Sequence, residues 1–294
     1  MGKKIEGVIV AAITPFTQEG RIDGDALREH IKFLAEKKVN GIFASGTYGE
    51  GPMLSPDDHR RFDRLMVDAT RENDMFMIAQ VGAPSTRQVI QQAEIAAEAE
   101  VDAIAAVPAF YYKHNEEAIF SYFRDVSSAT DLPFYIYNNP ARTGFEITPE
   151  FLSKLKRLKN IVGMKDSSNS LITFCKFKQV VEDEFNLIIG TDDIVLAGFL
   201  MGAKGAVVVV GNVFPEIPVQ LYRAFIQGNY EKAVQLQYKI LEIRTALKGP
   251  YISTYKEALN ILGRKGVYAR KPLKELTPEE REKLKVKLRN LKLI

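Results

Sequence analysis

A lysine that directly follows a short apolar run is the residue best suited to do chemistry in this chain. Residues 161–164 predict a buried strand, and Lys165 comes next. An amine at the mouth of a fold built from such strands is partly removed from water, which lowers its pKa and leaves some of it uncharged. An uncharged amine can form a Schiff base with a ketone or aldehyde. The alternative is an ordinary strand-end lysine, exposed to solvent or paired with Asp166.

Two hydroxyl groups follow other apolar runs and could move protons. Tyr137 lies two positions after Tyr135, at a predicted strand end where its ring could face the interior. The alternative is a core tyrosine whose hydroxyl finds a partner. Thr47 could continue a hydroxyl relay, and glycines on both sides of it would let the backbone approach a ligand carboxylate closely. An ordinary strand–helix turn explains the same residues.

Four charged side chains also follow predicted strands, but their positions indicate a chemical role less specifically. Arg142 lies in a Pro-x-Arg-Thr-Gly turn, where its guanidinium could bind a carboxylate with two hydrogen bonds or remain on the surface. Asp192 and Asp193 could bind substrate hydroxyls or a metal, but capping of the following helix is the commonest role for such residues. We expect Glu50 to brace a turn rather than act as a base.

Strand-like apolar runs alternate with amphipathic stretches of helical period along most of the chain. The runs that come first lack polar alternation, which is typical of strands buried on both faces of a parallel sheet. Eight units in roughly 220 residues predict a closed (β/α)₈ barrel. An open doubly wound sheet is the alternative, but no G-x-G-x-x-G follows the first strand. The predicted strands are 8–16, 41–46, 76–81, 103–109, 134–137, 161–164, 187–189 and 206–210, and the predicted helices are 25–36, 56–72, 86–99, 116–130, 148–159 and 169–181.

Three further helical segments exceed what a barrel needs. They cover residues 230–247, 253–262 and 278–291. We therefore predict a (β/α)₈ barrel over residues 1–226 and a C-terminal helical extension over residues 227–294, which covers the barrel or makes a subunit contact.

The composition narrows the class of protein. The chain has 294 residues, is 46% hydrophobic and 26% charged, and has a net charge of +3, which is ordinary for a soluble globular protein. Basic residues near the C-terminus alternate with glutamate and predict a solvated helix, not a nucleic-acid interface. One cysteine excludes a disulfide framework, and the three histidines lack metal-ligand spacing. With neither a secretory signal nor an apolar run of ~18 residues, we expect a cytoplasmic protein that does not enter the membrane.

Three motifs together resemble those of the dihydrodipicolinate synthase / N-acetylneuraminate lyase family. They are Gly46-Thr47-Tyr48-Gly49-Glu50, Tyr137-Asn138-x-Pro140-x-Arg142-Thr143-Gly144 and Gly163-Met164-Lys165-Asp166. The resemblance runs from Gly7 to about Leu291 and includes the C-terminal helices. It implies (β/α)₈ barrels assembled as a homotetramer, a dimer of dimers, that act on pyruvate and an aldehyde and need neither a metal nor another cofactor.

The resemblance also implies catalytic roles. Lys165 matches the lysine that forms the Schiff base with pyruvate, and Tyr137 matches the tyrosine that transfers protons to and from the substrate. Thr47 matches the hydroxyl that links this tyrosine to a second one. Tyr111 best matches that second tyrosine, which the family contributes across a dimer interface. An iminium ion withdraws electrons, so the adjacent methyl group becomes an enamine nucleophile.

The substrate-binding positions follow from the same resemblance. The backbone amides of Thr47 and Tyr48 would hold the pyruvate carboxylate, and the main-chain carbonyl of Val207 would lie near the reacting centre. Arg142 matches the arginine with which synthases of lysine biosynthesis bind the carboxylate of aspartate semialdehyde. Three features disagree with a synthase: Tyr48, where the synthases usually have threonine; residues 110–113 after the fourth strand; and Pro56 and Pro84, where the feedback-inhibited enzymes bear polar groups. Residues 110–113 are closer to sugar-acid aldolases and N-acetylneuraminate lyases, and residues 211–215 resemble 2-keto-3-deoxy-sugar-acid aldolases.

We therefore predict a lyase that condenses pyruvate with aspartate semialdehyde, with a sugar-acid aldolase or N-acetylneuraminate lyase as the alternative. A dehydratase or deaminase that keeps the Schiff base stays open. A non-enzymatic ketoacid-binding barrel would be expected to lack Lys165 or Tyr137, and both are present.

Overall fold

The fold is described by a computed structural model over residues 3–249, 251–265 and 267–294. Eight short strands alternate with helices along the chain, as the apolar runs predict. The strands are β1 (Gly7–Ala11), β2 (Gly41–Ala44), β3 (Phe76–Gln80), β4 (Ala103–Ala106), β5 (Phe134–Asn138), β6 (Ile161–Asp166), β7 (Asn186–Ile189) and β8 (Gly205–Val208).

The eight strands form a closed parallel barrel. Each strand pairs with the next, and β8 returns to β1 with Ile9 opposite Val207. This last pairing confirms the (β/α)₈ prediction and excludes an open sheet. Because all strands run in the same direction, their carboxyl ends meet at one mouth of the barrel.

Alternation along each strand separates an inner core from an outer one. The barrel interior is filled by side chains that include Ile9, Phe43, Tyr137 and Val207. Side chains that alternate with them, such as Met164, pack outward against the helices. Lys165 follows Met164 and therefore belongs to the inward-facing set.

Twelve helices surround and extend the barrel within the described residues. They are α1 (Gly24–Glu36), α2 (Pro56–Glu72), α3 (Thr86–Glu98), α4 (Glu116–Ser128), α5 (Pro140–Thr143), α6 (Pro149–Leu155), α7 (Leu171–Gln179), α8 (Val195–Leu200), α9 (Glu216–Ile226), α10 (Tyr230–Ala246), α11 (Ile252–Ile261) and α12 (Pro278–Asn290). Within these residues no helix combines the length and apolar character needed to cross a membrane.

The predicted helices differ from the structure mainly after β5. The predicted helices 148–159 and 169–181 are shorter in the structure, where they are α6 and α7. The short helices α5 and α8 and the longer helix α9 have no counterpart in the prediction. Helix α8 is apolar throughout, so it has no polar face to mark its period. Helix α9 contains Pro218 near its start, where a proline is tolerated. The three C-terminal helices begin and end within one residue of their predicted limits; the domain division at residue 226 remains a prediction.

Asp63 on α2 provides a stability test of the fold. Its carboxylate is buried, and Oδ1 finds no hydrogen-bond partner in the described part of the chain. Burial raises the pKa of Asp63 to about 7, against about 3.9 in an unfolded chain. Because the folded state holds the proton more tightly, this group's contribution to stability is greatest below the unfolded pKa. That contribution is lost as the pH rises towards 7.

We expect Asp63→Asn to remove this pH dependence. Measured relative to that of wild type, the unfolding free energy of the variant should be about 3 kcal/mol larger at pH 8 than it is at pH 4.5. Urea unfolding at both pH values measures it. Asp68→Asn, an exposed position on the same helix, is the control, and a constant difference for Asp63→Asn would contradict the assignment.

Candidate active site

The mouth of the barrel contains two adjoining cavities. One, of about 140 Å³, is lined by Lys165. The other, of about 250 Å³, extends from it toward α5 and α11. Thr47, Tyr137, Asn139 and Arg142 line both. The carboxyl ends of β2, β5, β6, β7 and β8 therefore meet in one place.

Lys165 and Tyr137 are adjacent because β5 and β6 pair with these two residues opposite each other. The Lys165 side chain is buried, and its Nζ lies 3.7 Å from the centroid of the Tyr137 ring and 4.0 Å from that of Phe43. Burial lowers the pKa of Lys165, and Tyr137 and Asp192 act in the opposite direction without reversing it. The amine is thus better able to lose its proton than an exposed lysine.

The Tyr137 hydroxyl lies in a network of polar groups. It accepts a hydrogen bond from Asn139 Nδ2 at 2.9 Å. Burial alone would raise the pKa of Tyr137, but Lys165 and hydrogen bonds with Lys165, Thr47 and Asn139 lower it overall. The hydroxyl is thereby suited to exchange a proton with a ligand on Lys165. Sequence reasoning missed Asn139; its position two residues after Tyr137 is the signal that could have identified it.

The loop after β2 carries Thr47 and Tyr48. Glu50 has a positive φ of 57°, and a side chain at Gly51 would clash with the backbone of Ser45, so the loop is folded tightly on itself. Thr47 faces the cavity. Tyr48 lines the same cavity, and its ring also packs against those of Tyr251 and Tyr255 in the C-terminal extension.

Glu50 braces this loop, as predicted from the sequence. Its carboxylate is fully buried and pairs with Lys256 of α11. The Lys256 ammonium also donates to the carbonyls of Thr14 and Tyr268, both at 2.7 Å. The second carboxylate oxygen accepts from the Arg270 N–H at 2.8 Å. The C-terminal helices therefore hold the loop that carries Thr47.

Arg142 and Val207 both line the cavity that contains Lys165. Val207 is buried and lines the cavity beside Lys165. Arg142, on the single turn α5, is exposed at the rim, with its guanidinium carbon 4.9 Å from the centroid of the Tyr251 ring. A guanidinium that stacks on an aromatic ring keeps its hydrogen-bonding edge free for a carboxylate.

Tyr111 is not brought into the cavity of its own chain. Its side chain is 87% exposed, its φ is +81°, and its ring contacts Tyr112 edge-on. Phe110 lines the cavity instead. The predicted role of Tyr111 across a dimer interface stays a prediction.

The predicted capping role of Asp192 and Asp193 is wrong, since Ile194 precedes α8 and no side chain caps that helix. Thr191, not Asp192, precedes the 3₁₀ turn Asp192–Ile194, and that turn has no side-chain cap. Instead the buried Asp192 Oδ1 accepts from the N–H groups of Val209 and Val210, each at 3.0 Å, after β8. Arg244 of α10, which sequence reasoning missed, lies 3.7 Å from Asp192 Oδ2 and lines the cavity. Among the described residues no three His, Cys, Asp or Glu side chains are grouped to hold a metal ion.

Comparison with known proteins agrees with this architecture. Residues 4–291 match the Dihydrodipicolinate synthetase family. The chain is 35% identical to 4-hydroxy-tetrahydrodipicolinate synthase of Methanopyrus kandleri, across 100% of this chain and 99% of that protein. It is 34% identical to an uncharacterized DapA-like lyase of Halobacterium salinarum, across 99% of this chain and 95% of that protein.

A solved structure extends the comparison. YagE from E. coli K12, a prophage protein of the dihydrodipicolinic acid synthase family in complex with pyruvate, superposes with a TM-score of 0.94 at 28% identity. The match covers 99% of this chain and 100% of YagE. The chain belongs to the dihydrodipicolinate synthetase family and is a lyase of that family.

Proposed function

We propose that this lyase binds pyruvate as a Schiff base on Lys165 and uses the derived enamine to form or break a carbon–carbon bond with an aldehyde. The observation that carries the proposal is the buried Lys165 amine, 3.7 Å from the centre of the Tyr137 ring at the carboxyl end of the barrel. The pyruvate complex of YagE supports the choice of ketoacid.

The chemistry requires one nucleophile and one proton carrier. The Lys165 amine adds to the pyruvate ketone, and loss of water leaves an iminium ion. Tyr137 carries protons to and from the departing oxygen and the methyl carbon, assisted by Thr47. The amides of Thr47 and Tyr48 hold the carboxylate, and the Val207 carbonyl lies beside the reacting carbon. The enamine then attacks the aldehyde, and hydrolysis releases product and Lys165.

We propose aspartate semialdehyde as the aldehyde because Arg142 lines the wider cavity and has a stacked, exposed guanidinium for its carboxylate. Cleavage of a 2-keto-3-deoxy-sugar acid or N-acetylneuraminate is the second candidate. The hydroxyl and amide groups of Ser167, Asn169 and Thr191 line the other side of the site and could bind sugar hydroxyls.

Two assays separate these substrates. One follows pyruvate consumption with aspartate semialdehyde, and the other follows pyruvate release from 2-keto-3-deoxygluconate, its galactose epimer and N-acetylneuraminate. Condensation without cleavage supports the synthase. Cleavage without condensation would overturn it in favour of the aldolase. No turnover in either assay, with no pyruvate trapped on the protein by borohydride, would reject the proposal as a whole.

Arg142→Ala should selectively damage a synthase. Loss of a charge-assisted hydrogen-bond donor costs about 1.5–3 kcal/mol, so kcat/KM for aspartate semialdehyde should fall about 10- to 150-fold. The KM for pyruvate should stay near its original value and is the internal control. Near-normal use of aspartate semialdehyde would remove the basis for choosing the synthase.

Tyr137→Phe should separate Schiff-base formation from proton transfer. We expect turnover to fall about 10²- to 10⁴-fold, the usual contribution of a positioned acid–base group, while borohydride still traps pyruvate. Steady-state kinetics and intact-protein mass measure the two effects. Tyr135→Phe is the matched control, because the Tyr135 hydroxyl bonds Asn186 at 2.9 Å, away from the cavity. Equal losses in both variants would contradict the role.

The assembly and location complete the proposal. We propose a cytoplasmic homotetramer in which Tyr111 reaches the site of a neighbouring subunit. The exposed Tyr111 side chain and its strained backbone support an ordered contact there. Light scattering at assay concentration tests the assembly, and a stable, fully active monomer would contradict it.

A further inference from the structure

We propose that Arg244, contributed by α10, is a positioning residue that keeps Lys165 available for Schiff-base formation by holding the neighbouring Asp192 in a neutral ion pair. The inference rests on the proposed function, because it concerns the protonation of the Schiff-base lysine. It makes the C-terminal extension part of the reaction, beyond its role in holding the barrel.

Arg244 reaches into the site from outside the barrel. Its side chain is 30% exposed, and its Nε lies 3.3 Å from Asp193 Oδ1. Its Nη1 lies 3.7 Å from Oδ2 of Asp192, whose side chain is 5% exposed. The same guanidinium lines the cavity that contains Lys165. Arg244 thus connects α10 to the end of β7.

Asp192 lies between backbone amides that hold its carboxylate in place and the Lys165 amine, whose protonation it affects, so its charge needs Arg244 as a partner. Its Oδ1 accepts two backbone N–H groups, from Val209 and Val210, so the carboxylate is fixed in place. Asp192 and Lys165 line the same cavity, and the negative charge of Asp192 raises the pKa of the Lys165 amine. Without Arg244, this charge would favour the protonated, unreactive ammonium form.

The charged and titratable groups around the pair come from several elements. Lys165 faces Tyr137 of β5 and Asp192 after β7, together with the Phe43 ring of β2. Asp192 faces Arg244 of α10 and is next to Asp193. Arg244 also faces two hydroxyl groups: Tyr48, of the loop after β2, and Tyr255 of α11. Burial raises the pKa of both tyrosines, to about 12 for Tyr48, so they are neutral partners.

Tyr48 connects the surroundings of Arg244 to the loop after β2. Tyr48 and Arg244 line the same cavity, and the Tyr48 ring packs against that of Tyr255 with the ring centroids 5.1 Å apart. Tyr48 directly follows Thr47 in the loop proposed to hold the pyruvate carboxylate. Loss of Arg244 should therefore also raise the KM for pyruvate.

The test is the pH dependence of pyruvate trapping on Lys165. The rate at which cyanoborohydride fixes pyruvate to the protein is followed by intact mass from pH 6 to pH 10. We expect the midpoint of Arg244→Met to move upward by about one pH unit, which slows trapping about tenfold on the acid side. Arg244→Lys should stay near wild type, and Arg244→Met with Asp192→Asn should return to it.

Lys239→Met is the control for this test. Lys239→Met, on the same helix, removes a cation bound to Glu242 at 3.1 Å and to the Leu291 carbonyl at 3.0 Å, away from the cavity; its midpoint should not move. A folded Arg244→Met with a wild-type midpoint overturns the inference.

If Arg244→Met does not fold, the pH dependence of trapping in Asp192→Asn tests the inference instead. This substitution removes the buried carboxylate near Lys165 while Arg244 keeps its contact with Asp193, so the midpoint should move to lower pH, and an unchanged midpoint overturns the inference. Absence of trapping in the wild type would instead reject the proposed Schiff base, whatever the variants do.

Discussion

Replacement of Lys165 by alanine is expected to lower turnover of the ketoacid at least about 10⁴-fold, the scale seen when a covalent catalytic group is removed. Lys165 Nζ is buried above the Tyr137 and Phe43 rings in the cavity at the barrel mouth. Every step of the proposed reaction uses this nitrogen, so the other polar groups of the site have nothing to act on without it. Product formation and borohydride trapping should disappear together.

Lys165→Arg is the matched control for this result. A guanidinium keeps the positive charge beside Tyr137 and most of the volume but does not form the imine, since it stays protonated. We therefore expect Lys165→Arg to be as inactive as Lys165→Ala while melting closer to wild type. Substantial turnover in either variant would rule out the Schiff-base mechanism. Trapped pyruvate in Lys165→Ala would show that another lysine carries the reaction.

The pairing of Tyr137 with Lys165 illustrates what local sequence can predict. Tyr137 ends one apolar run and Lys165 directly follows another, and in a parallel barrel such strand ends meet at one mouth. Inward orientation follows from period-two alternation, which places Met164 outside and Lys165 inside. Short-range patterns are therefore enough to predict the closed barrel and the meeting of Tyr137 and Lys165 at its mouth.

Arg244 and Lys256 show why other contacts of the site could not be predicted from the sequence. Both lie on helices of the C-terminal extension, and their partners Asp192 and Glu50 are far away in the sequence. On a helix a lysine or arginine normally indicates a solvated face, and nothing within one or two turns identifies a distant carboxylate. These contacts depend on how the extension folds back over the barrel, which is a property of the tertiary structure alone.

Lys256→Met should produce the largest loss of stability. Removal of one member of a buried ion pair leaves the other charge without compensation, at a cost of about 3–5 kcal/mol. Here the substitution would also strip the donor from the Thr14 and Tyr268 carbonyls. Urea unfolding at a fixed protein concentration measures the loss. Lys285→Met on α12, which removes a surface pair with Glu282 at 2.6 Å, should cost no more than about 1 kcal/mol.

A second substitution distinguishes an unpaired charge from lost packing. Glu50→Gln with Lys256→Met leaves no buried charge, and the glutamine oxygen can still accept from the Arg270 N–H. We therefore expect the double variant to regain at least half of the stability lost by Lys256→Met. A double variant as unstable as the single one would mean that the Lys256 side chain acts through its packing and carbonyl contacts. Because Glu50 closes the loop that carries Thr47, recovered stability should be accompanied by a KM for pyruvate that moves back toward wild type.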